Sequence, residues 1–292
     1  MKPDTTSTGQ ESLLPAGDRI GERLVQDGKL ASTDLARIAE HQKQHSVRFG
    51  EAAQALGLLS GADLDSALAE QFGYPWKPGS AVTDPTLYAL AQPFGHQAEQ
   101  LRALRMRLSL AGVGRAEGHP ALAVLSPQDG DGRSTLAANL AVSFAELGLR
   151  TLLVDADLRR PSQHTLFRSA VGSGGLSDLL AGRGCAAFIS PLPGFSGLAV
   201  LPSGPVPPNA TELLARPALR TFLSDVADRF DLVILDTPPT GPGGDAYYIA
   251  AAARAALLVA RRNRTSLTGL DTLTQTLAAT GIPALGVVLN RG

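Results

Sequence analysis

The stretch from Ala121 to Gly148 limits the possible folds more than any other part of the sequence. Ala121-Leu-Ala-Val-Leu-Ser126 is an apolar run that predicts a buried strand, and Thr135 to Leu147 has the periodicity of a helix, stopped by Gly148. Between them lies Pro127-Gln-Asp-Gly-Asp-Gly-Arg-Ser134. Strand, glycine turn and helix in that order bring backbone N–H groups and the positive end of a helix around an anion, so the segment predicts a phosphate-binding loop, or P-loop. Its candidate nucleotide-binding residues are Gly130, Asp131, Gly132, Arg133, Ser134 and Thr135. Arg133 stands where the pattern G-x-x-x-x-G-K-[ST] has lysine, and Pro127 replaces the first glycine. Arginine keeps the charge and can grip phosphate oxygens through two parallel hydrogen bonds, but it is longer and planar, so the loop predicts phosphate binding more directly than phosphoryl transfer.

Two further apolar runs end in acids. Arg150-Thr-Leu-Leu-Val-Asp155-Ala-Asp157 and Asp231-Leu-Val-Ile-Leu-Asp236 both read as buried strands, and 198–201, 255–260 and 284–289 read as others. Helices are expected at 211–230 and 267–279. Alternating strands and helices predict an α/β domain with a mostly parallel sheet flanked by helices, in which ligands sit beyond the carboxyl ends of the strands. Asp155, Asp157 and Asp236 would then gather beside the bound phosphates. Carboxylates facing phosphates imply a divalent cation. Ser134, phosphate oxygens and water-bridged Asp155, Asp157 and Asp236 make a chemically sensible set for Mg2+.

The charge balance excludes some classes of function. At 292 residues the chain is long enough for two domains, and its net charge of -1 lacks the basic surface of a nucleic-acid binder. Its single cysteine, Cys185, cannot form an internal disulfide or a cysteine metal cluster. The polar N-terminus has no apolar signal core, and Arg254 interrupts the alanine-rich run at 249–260, so a cytoplasmic protein is expected. Composition predicts a flexible tail at 1–17, a small, mainly helical repeat domain at 18–73, a Pro- and Gly-rich linker at 74–94, and the P-loop domain at 95–292.

The repeat is explicit. Arg19-Ile-Gly-Glu-Arg-Leu-Val-Gln-Asp-Gly28, followed by Leu30, Leu35 and Gln42, recurs 29 residues later as Arg48-Phe-Gly-Glu-Ala-Ala-Gln-Ala-Leu-Gly57, followed by Leu59, Leu64 and Gln71. Each copy predicts a short helix closed by glycine and then a second helix, and Ser60 with Asp63 has the spacing of a capping box. Two copies suit either mutual packing of helical units or a two-fold symmetric ligand. These residues resemble the MshEN/GspE-N-type domain of type II secretion and pilus ATPases, which binds cyclic di-GMP. The resemblance implies that Arg19 and Arg48 contact guanine and phosphate, that Gln42 and Gln71 add hydrogen bonds, that Gly21 and Gly50 allow close approach, and that Leu35, Leu64 and Leu68 supply apolar contact.

From about Glu99 onward the chain resembles the bacterial tyrosine kinases of exopolysaccharide synthesis, the CpsD/CapB type. The residues that carry this are Gly130-Asp-Gly-Arg-Ser-Thr135, Leu152 to Pro161, Phe230 to Pro239, Gly175 to Gly182, Leu201-Pro-Ser-Gly-Pro205 and Val288-Leu-Asn290. An arginine-containing P-loop joined to the repeat resembles the EpsG branch, the chain-length-determinant kinases. The resemblance implies a MinD/ParA-like P-loop NTPase fold with ATP and Mg2+ as cofactors. It also implies Asp155 as acceptor of a tyrosine proton, Asn290 near the adenine, and Glu99, Arg102 and Arg105 as an E-x-x-R-x-x-R interface of a homo-oligomer. A membrane polysaccharide co-polymerase would be the partner, holding the protein at the inner membrane. Such kinases usually end in a tyrosine cluster, whereas here no tyrosine follows Tyr248, and packing is expected of Tyr247 and Tyr248. Two readings stay open: a tyrosine autokinase, and a MinD/ParA-like nucleotide-switched regulatory ATPase of polysaccharide export that phosphorylates nothing.

Overall fold

A computed structural model describes residues 16–71, 84–114, 117–167, 174–183, 188–193, 195, 197–241 and 243–291. Cys185, Tyr74, nearly all of the expected tail and the first part of the expected linker lie outside them, as do the side chains of Arg19 and Gln71. The chain divides into two compact units, Met1–Pro78 and Gly79–Gly292.

The first unit is four helices, α1 (Ala16–Gln26), α2 (Ser32–His45), α3 (Phe49–Ala55) and α4 (Gly61–Gln71). Gly28 and Gly57 take left-handed φ values of 70° and 67°, ending the first helix of each repeat as a residue without Cβ can. The repeat is also present in the core: Leu24, Leu30 and Ile38 of one copy and Ala53, Leu59 and Ala67 of the other are buried together. Ser60 caps α4, its Oγ accepting from Asp63 N at 3.1 Å and donating to the Asp63 carboxylate at 2.5 Å.

In the second unit α5 (Tyr88–Ala91) and α6 (His96–Leu110) precede β1 (Ala121–Leu125), α7 (Arg133–Glu146) and β2 (Thr151–Asp155). Then come α8 (Gln163–Phe167), α9 (Leu176–Leu180), β3 (Ser190–Pro191), β4 (Leu198–Leu201), α10 (Ala210–Ala215) and α11 (Ala218–Val226). The unit closes with β5 (Leu232–Asp236), α12 (Asp245–Ala253), β6 (Ala256–Arg261), α13 (Leu267–Ala279) and β7 (Ala284–Asn290). The seven strands run in the order β3-β4-β2-β5-β1-β6-β7, all neighbours parallel except β3 with β4. β1, β2 and β5 are buried at every residue, which is why they read as unbroken apolar runs. The mostly parallel α/β sheet is the expected one.

Three local expectations need correction. The single helix expected at 211–230 is two, because Arg216 before Pro217 is extended (φ −71°, ψ 157°), the conformation that proline imposes on its predecessor. Residues 84–94 belong to the second unit instead of forming a free linker: Leu87, Ala89 and Leu90 are buried, and the buried Asn139 of α7 donates to Thr86 O at 2.8 Å and accepts from Ala89 N at 3.2 Å. Tyr247 packs on the core as expected, but Tyr248 is 44% exposed.

Candidate active site

The P-loop is held in shape from both sides. Gly130 and Gly132 have φ of 75° and 100°, open only to glycine at low strain, and the space a Cβ would need is taken. On Gly130 it would lie 2.8 Å from Arg264 Nη1, and on Gly132 2.3 Å from Asn290 Nδ2. The Asp131 carboxylate, fully buried, accepts from Gln128 N at 3.1 Å and Thr265 Oγ1 at 2.7 Å, so this side chain braces the loop rather than facing a ligand. Arg261 donates to Gly130 O at 3.1 Å, and Asn290 to Asp131 O at 3.0 Å. α7 begins at Arg133, so the N–H groups of its first turn, Ser134 and Thr135 among them, have no partner earlier in the helix and are free to donate to an anion.

Arg133 is 6% exposed and turns back onto the loop. Its Nε donates to Thr237 O at 2.9 Å, and its Nη1 to Ser126 Oγ at 2.5 Å and Gln128 O at 2.7 Å. Asp129 lies 3.7 Å from its Nη2. A buried guanidinium must be paired, and here its hydrogen-bond partners are main-chain and hydroxyl oxygens beside the loop, with Asp129 as a longer ion pair; phosphate oxygens could replace those acceptors.

The three acids occupy the carboxyl edge of the sheet. Asp155 and Asp236 end neighbouring strands in direct register. Asp155 Oδ2 accepts from Ser162 N and Gln163 N, both at 2.9 Å. Asp236 Oδ2 accepts from Gln163 Nε2 at 2.7 Å, and the Ser134 side chain also bonds this carboxylate. Gln163 Nε2 reaches Ser134 O at 3.1 Å as well, so one buried amide ties the P-loop serine to Asp236. Asp157 accepts from Arg159 N at 3.1 Å and Arg160 N at 2.9 Å. Burial, and then the Asp236 carboxylate beside it, pushes Asp155 up to about 8. Burial raises Asp236 to about 6, against hydrogen bonds from Gln163 and Ser134 and the charge of Arg133. Burial also raises Asp157, opposed by the Arg160 and Arg159 N–H groups.

One oxygen on each of two acids is left over: Asp155 Oδ1 and Asp236 Oδ1 are buried without a hydrogen-bond partner. Orphaned buried carboxylate oxygens are costly, and a cation removes the cost. The donor set fits Mg2+, which is bound through one or two carboxylates plus phosphate oxygens and water. Among the described residues no three His, Cys, Asp or Glu side chains are grouped so as to hold a metal ion by themselves. Asp155 and Asp236, with the Ser134 hydroxyl, would hold the ion, and the ion would neutralise charge on transferring phosphates.

The structure thus brings Gly130, Gly132, Arg133, Ser134, Asp155, Asp157, Asp236 and Asn290 to one edge, where Asp129, Asp157, Arg159, Arg160, Gly243 and Asp245 line a cleft of about 190 Å³. Glu99, Arg102 and Arg105 lie elsewhere, on α6. Arg102 bonds Glu99 and Pro93 O, and Arg105 bonds Ser143 O near the far end of α7, with Glu146 3.8 Å away. In the first unit, close approach at the repeat glycines is made by leucine: a Cβ on Gly21 would lie 2.8 Å from Leu35, and on Gly50 2.5 Å from Leu64. These glycines allow close approach, and here it is leucine that approaches. Arg48 is exposed, Leu68 is half-buried, and Gln42 donates to Val47 O at 3.4 Å.

Sequence reasoning missed Gln163, the Arg159–Asp245–Thr211 cluster and the bracing turn of Arg261, Arg264 and Thr265. Only the adjacency of Gln163 to the Asp155–Pro161 segment could have signalled the first. The others depend on long-range contacts.

Similarity to known proteins identifies the family. The ParA family described as NUBPL iron-transfer P-loop NTPase matches residues 119–291. Tyrosine-protein kinase YwqD of Bacillus subtilis is 33% identical over 202 residues, 69% of this chain and 84% of YwqD. The crystal structure of the chimerical protein CapA2B2 matches with a TM-score of 0.66 at 32% identity, over 77% of this chain and 97% of that one. The kinase domain of the Escherichia coli tyrosine kinase ETK matches with a TM-score of 0.65 at 32% identity, over 70% and 79%. With a P-loop, three strand-end acids and kinase relatives aligned across the same domain, the chain belongs to the bacterial tyrosine-protein kinase family of ParA-type P-loop NTPases.

Proposed function

We propose that this kinase is an autokinase that uses ATP and Mg2+ to phosphorylate its own tyrosine and so regulates the chain length and export of an exopolysaccharide. The observation that carries the reading is the pair of orphaned buried oxygens, Asp155 Oδ1 and Asp236 Oδ1, beside the P-loop serine. Without a cation, burial keeps the Asp155 carboxyl protonated near neutral pH; a bound cation would draw that proton off and leave a carboxylate suited to take the proton of an attacking phenol. Asp157 and Asp236 would help hold the cation. Asn290 lies toward the adenine, and Thr135 adds a first-turn N–H to the phosphates. The expected partner, on the strength of the family resemblance, is a membrane polysaccharide co-polymerase that recruits the cytoplasmic protein to the inner membrane. Glu99, Arg102 and Arg105 would form the contact between copies.

The first unit is proposed to respond to cyclic di-GMP through Arg19, Arg48, Gln42 and Gln71 with Leu35, Leu64 and Leu68. What supports this is the repetition of polar positions as well as apolar ones at a constant offset of 29 residues. An Arg19→Ala plus Arg48→Ala protein should lose the calorimetric binding of cyclic di-GMP, and unchanged binding would remove the proposal.

Intact-mass spectrometry after incubation with Mg2+ and ATP tests the kinase reading, with Asp155→Ala as control. A phosphoryl gain absent from the control is expected. If ATP binds and no gain appears, the chain is a nucleotide-switched regulator instead.

A further inference from the structure

The chain has four tyrosines, Tyr74, Tyr88, Tyr247 and Tyr248, of which Tyr74 lies outside the described residues. Phosphorylation adds about −1.5 to −2 charge and three acceptor oxygens that must stay hydrated or paired. Tyr88 is half-buried among Leu87, Ala89 and Leu90, which are buried, and Tyr247 packs against the main core. A phosphate on Tyr247 would have to displace apolar neighbours, and Tyr88 is less exposed than Tyr248. Tyr248 is 44% exposed, so its phenol can meet a nucleotide and keep the product in water.

Tyr248 also lies on the helix whose first residue lines the cleft. α12 follows β5, whose last residue is Asp236, and it starts at Asp245, a wall of the cleft that contains Asp157. Asp245 is fixed there, accepting from Arg159 Nε at 2.6 Å and from Thr211 Oγ1 at 2.6 Å, and Arg159 follows Asp157 by two positions. Tyr248 is three residues beyond Asp245, on the same helix face. Helical side chains lean toward the N-terminus, and this ring does so: a Cβ on Gly244 would lie 3.9 Å from Tyr248 Cε2. Buried Ala246, Ile249 and Ala250 hold the helix in that orientation.

We propose that Tyr248, an internal tyrosine, is the phosphoryl acceptor. Its Oη attacks the γ-phosphorus of ATP, an Oη–P bond forms as the bond from that phosphorus to the β–γ bridging oxygen breaks, ADP departs, and the phenolic proton passes to the Asp155 carboxylate. The phosphotyrosine then stands in the first turn of α12, where the positive helix end favours a dianion. The inference rests on the autokinase reading.

The test is phosphopeptide mapping of the full chain after incubation with Mg2+ and ATP, with fragmentation that separates Tyr247 from Tyr248. Tyr248→Phe and Tyr247→Phe proteins are run in parallel, and nucleotide binding confirms that each is folded. Phosphate on Tyr248, lost in Tyr248→Phe and retained in Tyr247→Phe, is expected. Phosphate on Tyr74, Tyr88 or Tyr247 with Tyr248 unmodified, or an undiminished gain in Tyr248→Phe, overturns the assignment and leaves the kinase reading standing. No phosphate at all in the parent, with ATP bound, overturns the kinase reading itself.

Discussion

Asp155→Asn should make the protein more stable in the absence of metal and nucleotide while disabling it. In the folded chain burial and the Asp236 carboxylate raise the Asp155 carboxyl from 3.8 to about 8. At pH 7 the folded group therefore holds a proton that the unfolded group has released, so folding takes up a proton and becomes less favourable as pH rises. The penalty is absent below the unfolded value, grows as pH rises, and is complete above the folded value. At pH 7 it spans about three decades of proton affinity, and at about 1.4 kcal/mol per decade it is on the order of 4 kcal/mol. At pH 5 it spans about one decade and falls to roughly 1–2 kcal/mol. Asparagine is neutral throughout, its carbonyl can accept from Ser162 N and Gln163 N as Oδ2 does, and its amide can donate toward Asp236. Urea unfolding with chelator present should show the variant more stable by several kcal/mol at pH 7 and by less than half as much at pH 5. Adding Mg2+ and ATP should stabilise the parent, by about 2.7 kcal/mol at a hundredfold excess over Kd, and the variant much less. A variant no more stable than the parent at pH 7, or an advantage that does not shrink toward pH 5, would refute the claim that this carboxylate is held ionisable at the expense of stability.

Three other changes probe the scaffold. Gly132→Ala forces a Cβ to 2.3 Å from Asn290 Nδ2 at a φ of 100°, so nucleotide binding followed by fluorescence should be abolished. Asn139→Ala leaves Thr86 O and Ala89 N without their buried partner, and urea unfolding should show a loss of roughly 2–4 kcal/mol, with new proteolytic sensitivity at 84–94. Gly50→Ala drives a Cβ to 2.5 Å from Leu64 Cδ2, and should destabilise the first unit by roughly 1–3 kcal/mol while leaving ATP affinity of the second unchanged.

Much of this architecture is legible in the residues because the strands that matter are buried on both faces. Ala121–Leu125, Thr151–Asp155 and Leu232–Asp236 are continuous apolar runs, and each is followed by the residues that do the chemistry. The turn glycines Gly28 and Gly57 announce themselves for the same local reason, since only a residue without Cβ takes those φ values readily. What the sequence hides is long-range. Gln163 reads as an ordinary polar residue after a proline, yet it is buried and bonds residues 29 and 73 positions away. Asn139 sits mid-helix, where its side chain would be expected in solvent, and instead it clamps a segment about fifty residues earlier. The two-residue strand β3 pairs antiparallel at the edge of the sheet and is too short to have a pattern. Pro217 could have been weighed against a continuous helix, but amphipathic periodicity on both sides of it argued for one.

The substitution of arginine for lysine in the P-loop takes on a physical meaning once its partners are known. A lysine ammonium is a compact, strongly hydrated point charge on a flexible stem, whereas Arg133 spreads its charge over a planar fork bonded to Ser126, Gln128 and Thr237. That fork joins the start of the P-loop to the residue that follows Asp236. Bound phosphate would compete for the same donors, so nucleotide entry would exchange internal acceptors for phosphate oxygens. Two opposite imbalances therefore meet at this edge of the sheet: a guanidinium whose acceptors can be replaced by phosphate, and two carboxylates with bare oxygens that need a cation. Arg133 is already paired with protein oxygens, whereas the two carboxylate oxygens find no partner within the protein. A magnesium nucleotide supplies the anion to one and the cation to the other, which is why its binding should stabilise the fold and join the P-loop to the acidic strand ends as one unit.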